Sequence, residues 1–255
     1  MAWSVGAGLD GKGVIVTGAA GGIGKVVAEA FATVGARVMV VDVDREAIDA
    51  VLAGLEGGGH SGMAIDLRDL AAQKEVVERA QKEFGNLFVL AHLAAVLRRR
   101  PSLTDITEED WDLQIDVNLK ATFFLCRTAA EAMKAEGCGG RIIAFTSQAW
   151  WTGSFGGGAA YAASKGGVVS LLRSFARTYG PYNITVNTVA PGQVNTPMLM
   201  TGLDPSVLKT MTESTPLKRV AEPDEMVGTV VFLASKHAGF ITGATINTSG
   251  GFLMY

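Results

Sequence analysis

Short runs of apolar, mostly β-branched residues alternate along this chain with longer segments in which apolar residues recur every three or four positions. The short runs are typical of buried strands, and the longer segments are typical of amphipathic helices. The predicted strands occupy residues 13–17, 37–41, 62–65, 87–93, 141–146, 184–189 and 244–247. Strands that alternate with helices over short links predict right-handed crossovers, and therefore an α/β fold: a doubly wound parallel sheet with helices on both faces.

The helical pattern divides the rest of the chain. Predicted helices cover residues 24–34, 44–55, 69–84, about 107–135 and 161–179, and a further helix begins at Glu222. The segment that contains Gly202 and Pro205 is expected to be irregular and mobile. Residues 1–11 are expected to form a loose leader, and residues 12–255 a single domain, because no internal repeat or low-complexity linker divides them.

A glycine cluster follows the first strand and opens onto a helix. Gly18, Gly22 and Gly24, with Ile23 between the last two, have the spacing GxxxGxG. A turn without Cβ atoms lets the backbone approach a phosphate, and the helix N-terminus adds free N–H groups and a positive dipole end. The pattern indicates a dinucleotide turn, although glycines also end strands for purely steric reasons.

Acidic residues end the next two strands. Asp42 stands at the end of the second strand, about 20 residues beyond the glycines, where an acceptor for a ribose 2′-hydroxyl is expected. It could instead cap the next helix, a role that suits Asp44 better. Asp66, followed by Leu67, could accept a hydrogen bond from an adenine amino group or cap the segment after it.

Composition narrows the function. The 255 residues fit one large domain, and 48% apolar content agrees with a sheet covered on both faces. A net charge of −3 gives no sign of a nucleic-acid surface. No apolar run is long enough to span a membrane, and the first residues lack the regions of a signal peptide. We therefore expect a soluble, cytoplasmic protein.

Cysteines and histidines point to neither a disulfide framework nor a metal. Cys126 and Cys138 have no metal-binding spacing, which favours a reducing compartment. His60, His92 and His237 are scattered along the chain, without an acidic cluster beside them. A metal site is therefore not expected.

Three polar residues could carry acid–base chemistry. Tyr161 and Lys165 are four apart on a predicted helix, so both side chains project from one face. A neighbouring ammonium should lower the tyrosine pKa from its usual value of about 10. Ser147, at the end of the fifth strand, could hydrogen-bond the same substrate oxygen. An isolated pair of this kind is usually ordinary helix surface, but its place after a dinucleotide turn favours hydride transfer.

The order of these motifs resembles the short-chain dehydrogenase/reductase family. The motifs are TGAAGGIG at 17–24, DL at 66–67, Asn118, Ser147, YAASK at 161–165, PG at 191–192 and TPM at 196–198. The resemblance covers nearly the whole chain from about Gly11. It implies a Rossmann-type fold, an NAD(P) cofactor, and a Ser147–Tyr161–Lys165 centre.

The resemblance also implies further roles. Asn118 would be a fourth catalytic residue, holding a helix kink and a proton-relaying water, although it could equally be a satisfied core amide. Lys165 would bind the nicotinamide ribose, and Ala94 would lie on the cofactor side. Val194 and Thr196 would hold the carboxamide. Family members are mostly tetramers, so we expect a homotetramer built on residues 113–135 and 161–179, with a dimer as the alternative.

The chain departs from the family pattern in three places. His92-Leu93-Ala94-Ala95 replaces Asn-Asn-Ala-Gly after the fourth strand, and His92 receives no catalytic role. Ser147 lies one residue farther from Tyr161 than is usual, and we assign the extra residue to an insertion within residues 154–158. Without that insertion, the usual spacing would place Gln148 at the serine position. TSGG at 248–251 replaces Val-Asp-Gly-Gly near the C-terminus.

The sequence therefore predicts an NAD-dependent oxidoreductase that interconverts a secondary alcohol and a ketone. Ala19, Ala20 and Gly21 are neutral and Asp42 is acidic, which favours NAD over NADP. One alternative is an NADPH-dependent 3-oxoacyl reductase, for which only Arg45 argues. Another is a non-catalytic NAD-sensing protein, which would be expected to have lost Tyr161 or Lys165.

The substrate prediction depends on the loop after the fourth strand. Arg98, Arg99 and Arg100 begin near the expected site, and arginine matches a carboxylate bidentately. Paired arginines followed by TEEDW at 107–111 resemble family members that act on sugar acids such as gluconate. We expect Arg98 or Arg99 to grip a small anionic or polyhydroxylated substrate. The arginines could instead be solvated or meet another subunit, and Trp150, Trp151 and Phe155 favour an apolar or ring-bearing alcohol.

Overall fold

The sheet has the predicted architecture. In the computed structural model, which describes residues 6–154 and 157–254, a seven-stranded parallel sheet has the order β3-β2-β1-β4-β5-β6-β7. Its strands are β1 (Gly13–Thr17), β2 (Arg37–Asp42), β3 (Ser61–Ala64), β4 (Val89–His92), β5 (Gly140–Phe145), β6 (Ile184–Pro191) and β7 (Thr245–Thr248). The order reverses between β1 and β4, where open α/β sheets bind their ligands. The predicted doubly wound fold is confirmed.

Ten α-helices are described within the same residues. They are α1 (Gly22–Thr33), α2 (Arg45–Gly54), α3 (Leu70–Phe84), α4 (Glu108–Ile115), α5 (Ala121–Glu136), α6 (Ala149–Thr152), α7 (Ala159–Tyr179), α8 (Pro197–Met200), α9 (Pro205–Ser214) and α10 (Val227–Ala234). One apolar layer joins the sheet to α3, α5 and α7, and the other joins it to α1, α2 and α10. Alternate strand residues face opposite layers, as Ile15 and Val16 do in β1. Both faces of the sheet are therefore covered.

The helix predicted over 107–135 is interrupted. A π-helical segment, Asp116–Lys120, separates α4 from α5 and contains the buried Asn118. Such one-turn widenings occur often at functional sites. Apolar periodicity alone does not reveal this segment, because a π-helix differs from an α-helix in its main-chain hydrogen bonds.

The segment around Gly202 and Pro205, which was expected to be mobile, contains two helices, and its mobility stays a prediction. Pro197 and Pro205 occupy first-turn positions of α8 and α9. The Thr196 hydroxyl accepts a hydrogen bond from the Leu199 N–H, and Asp204 accepts one from the Ser206 N–H. Gly202 lies between the two helices and adopts a positive φ of 68°. Glycine and proline thus mark helix ends here rather than a loop.

The end of the expected leader packs onto the domain. Leu9 is only 1% exposed and belongs to the apolar layer that contains α1. The Gly11 N–H donates to the Gly35 carbonyl at 2.8 Å. The division into residues 1–11 and 12–255 stays a prediction. Leu9 and Gly11, next to the predicted boundary, are attached to the core.

The described residues contain neither a helix that could span a membrane nor a cluster of metal ligands. Among them, no helix combines the length and apolar character needed to cross a bilayer. Within residues 6–154 and 157–254, no group of three or more His, Cys, Asp or Glu side chains is arranged to hold a metal ion.

Candidate active site

A cleft of about 1360 Å³ opens at the carboxyl ends of the strands. All the residues predicted to bind the cofactor line it: Gly18, Gly22, Ile23, Gly24, Asp42, Asp66, Leu67, Ala94, Tyr161, Lys165, Val194 and Thr196. Ser147 lines it as well. The fold therefore gathers residues from widely separated parts of the chain around one space.

The glycine turn leaves room for a phosphate at the N-terminus of α1. A Cβ on Gly24 would lie 1.9 Å from the Gly18 carbonyl oxygen, and one on Gly18 would lie 2.7 Å from the backbone of Ala94. Gly21 precedes the helix without a side-chain cap, and a Cβ there would meet no atom within 4 Å. The first N–H groups of α1 therefore face open space, which fits the pyrophosphate of a dinucleotide.

Asp42 is fixed against the glycine turn. Its Oδ2 accepts a hydrogen bond from the Ala20 N–H at 2.9 Å, and its Oδ1 accepts one from the Val43 N–H at 2.7 Å. Asp44 caps α2 instead, accepting from the Ala47 N–H at 3.1 Å. The carboxylate of Asp42 is thus held at the edge of the cleft, with lone pairs available to ribose hydroxyls.

Asp66 is not a helix cap either. Asp69 caps α3, because its Oδ1 accepts from the N–H groups of Ala71 and Ala72. Asp66 pairs with Arg68 at 2.6 Å, and hydrogen bonding from Arg68 lowers the pKa of Asp66. A ligand that contacts Asp66 must share its oxygens with that arginine.

Tyr161, Ser147 and Lys165 meet at the floor of the cleft. The Ser147 side chain acts on the Tyr161 phenol and lowers its pKa. The Lys165 Nζ donates to the Phe145 carbonyl at 2.8 Å and lies 5.8 Å from the centroid of the Tyr161 ring. Lys165 is buried at 3% exposure, and burial lowers its pKa to about 8. The ammonium therefore predominates at neutral pH.

The sequence predicted a lowered pKa for Tyr161, and this prediction is wrong. Burial of the phenol raises the pKa of Tyr161, because a phenolate loses solvation there. The hydrogen bond from Ser147 and the charge of Arg99 act in the opposite direction. Lys165 turns toward a backbone carbonyl, so the i, i+4 spacing alone overstated its effect on the phenol.

Asn118 lies behind the cleft rather than in its wall. Its side-chain amide accepts from the Val96 N–H at 2.8 Å and donates to the Val96 carbonyl at 2.9 Å. The same amide donates to the Ser164 hydroxyl at 3.1 Å. The residue predicted as catalytic therefore joins the loop after β4 to α7, which is a positioning geometry.

The three arginines separate. Arg99 lines the cleft and donates to the Thr201 carbonyl at 2.9 Å. Arg100 forms two hydrogen bonds, of 2.6 and 2.7 Å, with the Asp110 carboxylate. These bonds hold the pKa of Asp110 below its ordinary value. Arg98 is not part of the cleft lining, and its backbone N–H donates to Gln114. Of the two arginines expected to bind the substrate, only Arg99 lines the cleft, and a substrate role for either residue stays a prediction.

The tryptophans also lie outside the lining. Trp150 and Trp151 stack edge to face at 5.2 Å on the short α6, and Trp151 is 59% exposed. Phe155 lies outside the described residues, and so does the middle of the predicted insertion within residues 154–158. The aromatic pocket expected from this segment is therefore not formed by the two tryptophans.

Apolar residues that were not predicted as site residues also line the cleft. They include Val96, Leu97, Leu113, Leu199, Leu203, Val207, Met211 and Phe252. Leu203, Val207 and Met211 recur every four residues, a helical spacing that could have identified this face. Gln148 and Gln193 also line the cleft, and each has one buried side-chain atom without a hydrogen-bond partner.

Comparisons with known proteins identify the family of this chain. A family model described as enoyl-(acyl carrier protein) reductase matches residues 18–253. D-threitol dehydrogenase of Mycolicibacterium smegmatis is 37% identical over 96% of this chain and 94% of its own. The 3-oxoacyl-[acyl-carrier-protein] reductase FabG of Thermotoga maritima is 35% identical over 96% and 99%, respectively.

A solved structure agrees over the whole fold. The short-chain dehydrogenase/reductase (glucose/ribitol dehydrogenase) from Brucella melitensis has a TM-score of 0.89 at 32% identity, covering 97% of this chain and 98% of its own. The resemblance noted from sequence is confirmed. The chain belongs to the short-chain dehydrogenase/reductase family and is an oxidoreductase that interconverts a secondary alcohol and a ketone of a small molecule with a nicotinamide cofactor.

Proposed function

We propose that the protein is an NAD-dependent dehydrogenase of small hydroxy acids or polyols, with Tyr161 as its acid–base residue. The position of Asp42 carries the cofactor assignment. Its carboxylate is fixed at the ribose end of the glycine turn, where it can accept from two hydroxyls but repels a phosphate. Arg45 is the basic residue that would favour NADPH, but its side chain forms a salt bridge with Asp49 at 2.6 Å.

The residues of the cleft supply the proton chemistry. A nicotinamide dinucleotide held by the glycine turn, Asp42 and Lys165 would supply the hydride chemistry. Tyr161 takes the hydroxyl proton of the alcohol in oxidation and returns a proton to the carbonyl oxygen in reduction. Ser147 hydrogen-bonds that oxygen and polarises the carbonyl. The positive charge that favours the phenolate comes from Arg99, whereas the cationic Lys165 can hold the ribose of the cofactor.

The substrate assignment depends on Arg99. Its guanidinium lies in the cleft wall and acts on Tyr161 through its charge, so it stands near the reacting carbon. A carboxylate or a hydroxyl close to the reacting carbon would meet it. D-threitol dehydrogenase, a polyol enzyme by name, is among the relatives.

A second candidate is a 3-oxoacyl reductase or hydroxyacyl dehydrogenase. The apolar wall of Leu203, Val207 and Met211 would suit an acyl chain. Human (3R)-3-hydroxyacyl-CoA dehydrogenase, 34% identical over 94% of this chain, is a relative that acts on such a substrate by name. Turnover of acyl thioesters well above that of hydroxy acids would favour this candidate.

We further propose a homotetramer and a cytoplasmic location. A groove between α5 and α7 exposes half-buried apolar side chains, among them Leu119, Phe123, Phe124 and Leu171. A second copy of the same face could cover it. The free thiols of Cys126 and Cys138 are compatible with a reducing compartment.

Cofactor choice tests the role of Asp42. We expect kcat/KM to be at least tenfold higher with NAD than with NADP, about 1.4 kcal/mol, because a 2′-phosphate would meet the carboxylate. Asp42→Ser should narrow this ratio. Asp44→Ser removes a neighbouring charge while keeping a capping oxygen, and should leave the ratio unchanged. Equal kcat/KM values in the wild type would contradict the assignment.

Tyr161→Phe tests the acid–base residue. Turnover should fall by roughly 10² or more while NADH binding, measured by fluorescence titration, persists. Tyr179→Phe makes the same change on the same helix, where the hydroxyl bonds Glu131 at 2.8 Å, and should keep its activity. Because burial raises the pKa of Tyr161, wild-type oxidation should accelerate with rising pH and reduction should slow. Near-normal turnover of Tyr161→Phe would exclude this centre.

Lys165→Ala should damage both turnover and cofactor affinity, since the ammonium can hold the ribose of the cofactor. Kinetic constants and NADH titration separate the two effects. An unchanged affinity would remove the ribose contact from the proposal.

Arg99→Ala tests the substrate class. We expect KM to rise about tenfold or more for a hydroxy acid, and much less for a neutral alcohol, because the guanidinium forms charge-assisted hydrogen bonds. Arg98→Ala is the matched control, one residue outside the cleft lining. Arg99→Lys keeps the charge and should restore part of the affinity. Equal effects of Arg99→Ala on both substrates would favour the acyl candidate.

Light scattering at micromolar concentration tests assembly. We expect the mass of a tetramer, and a smaller species for Phe124→Glu, which places a charge in the groove. A wild-type monomer would reject the proposed assembly.

A further inference from the structure

His92 is buried at the end of β4, behind the floor of the cleft. Its side chain bridges two hydroxyls: Nδ1 lies 2.7 Å from Thr17 Oγ1, and Nε2 lies 2.8 Å from Thr122 Oγ1. Thr17 is the last residue of β1, immediately before Gly18, whereas Thr122 begins α5 just beyond the π-helical segment. The imidazole thus joins the glycine turn to the helix that follows Asn118.

The surrounding hydrogen bonds fix the proton on this ring. The Thr122 hydroxyl donates to the Asn118 carbonyl at 2.6 Å, so it can only accept from His92, and Nε2 must carry the hydrogen. Nδ1 is then an acceptor, to which the Thr17 hydroxyl donates. Thr17 Oγ1 in turn accepts from the Ala94 N–H at 3.3 Å. Each hydroxyl in this row of hydrogen bonds donates to one partner and accepts from another.

The same row reaches both sides of the site. At one end, the Ala94 backbone packs against Gly18 so closely that a Cβ on that glycine would lie 2.7 Å away. At the other end, the Asn118 side chain holds Val96 and donates to Ser164, whose hydroxyl donates to the Tyr161 carbonyl at 2.7 Å. One continuous row of hydrogen bonds therefore joins the glycine turn to the start of α7.

We propose that His92 is a positioning residue, which holds the cofactor turn in register with the catalytic helix through Thr17, Thr122 and Asn118. The inference rests on the proposed function only in taking Tyr161 as the acid–base residue. His92 touches neither substrate nor cofactor. It acts by keeping the loop after β4 and the π-helical segment at a fixed distance from Gly18.

The electrostatics of the ring agree with its place in the row. Burial and the charge of Lys165 lower the pKa of His92 to about 3. A protonated ring would present a second donor to Thr17, leaving the Thr17 hydroxyl hydrogen without its acceptor. The neutral form keeps the whole row satisfied at every pH at which the enzyme works.

The tautomer can be measured without turnover. Long-range ¹H–¹⁵N spectra of the ¹⁵N-histidine-labelled protein, with and without NADH, should show His92 with a protonated Nε2 and an unprotonated Nδ1. The signal should not titrate between pH 5 and 9, a window that contains the usual pKa of about 6.5. A His92 that titrates in this window, or that carries its hydrogen on Nδ1, would overturn the proposal. A failure to find any alcohol substrate would instead count against the proposed function alone.

Thr122→Val breaks the row at its second hydroxyl while keeping the shape of the side chain. We expect kcat to fall about tenfold or more, since small misplacements of reacting groups are costly. The KM for substrate should change less than twofold, and Thr122→Ser should recover most of the kcat.

Thr128→Val is the matched control, because Thr128 lies on the same helix and its hydroxyl also donates to a carbonyl four residues earlier, at 3.0 Å. Its kcat should remain within twofold of the wild type. Equal losses in Thr122→Val and Thr128→Val would overturn the proposal, as would a full loss in Thr122→Ser. If Thr122→Val does not fold, the comparison of Thr122→Ser with Thr128→Ser and the tautomer measurement decide it.

Discussion

The whole site depends on one close approach, that of Gly24 to the Gly18 carbonyl. A Cβ at Gly24 would lie 1.9 Å from that oxygen, so only glycine allows α1 to begin directly over β1. This contact sets the direction in which the first N–H groups of α1 point. The loop after β4 then packs on Gly18 through Ala94. The missing side chains of Gly18 and Gly24 thus bring together the turn, the loop and the adjoining ends of two strands.

Charge in the cleft is arranged by burial as much as by pairing. Lys165 loses part of its proton affinity because it is buried, and Tyr161 resists ionisation for the same reason. Both shifts oppose the ion pair that direct contact between a phenolate and an ammonium would favour. Arg99 supplies a second positive charge that favours the phenolate. The pKa of Tyr161 is therefore set by several groups rather than by one neighbour.

The sheet could be predicted from the sequence because buried parallel strands are unbroken apolar runs. The position of Asp42 followed because it ends β2, and that of Tyr161 because it lies near the start of the long helix after β5. What escaped prediction depends on single hydrogen bonds and on tertiary contacts. The widening at Asn118 is a change in main-chain hydrogen bonds, which the apolar period does not reveal, and the direction of the Trp150 side chain depends on how α6 leaves β5. Burial of the Tyr161 phenol raises its pKa where a lowered pKa was expected, and this burial is likewise a property of the folded chain.

The contact between Arg99 and Thr201 has a consequence for recognition in this cleft. A free arginine side chain samples many rotamers, and fixing it on binding costs conformational entropy of about 1.5–2 kcal/mol. Here the carbonyl of Thr201 already restrains the guanidinium at 2.9 Å, while its other N–H groups remain for an incoming anion. The ordering is completed during folding. An anion that enters the cleft meets a preorganised donor and loses less free energy in immobilising it.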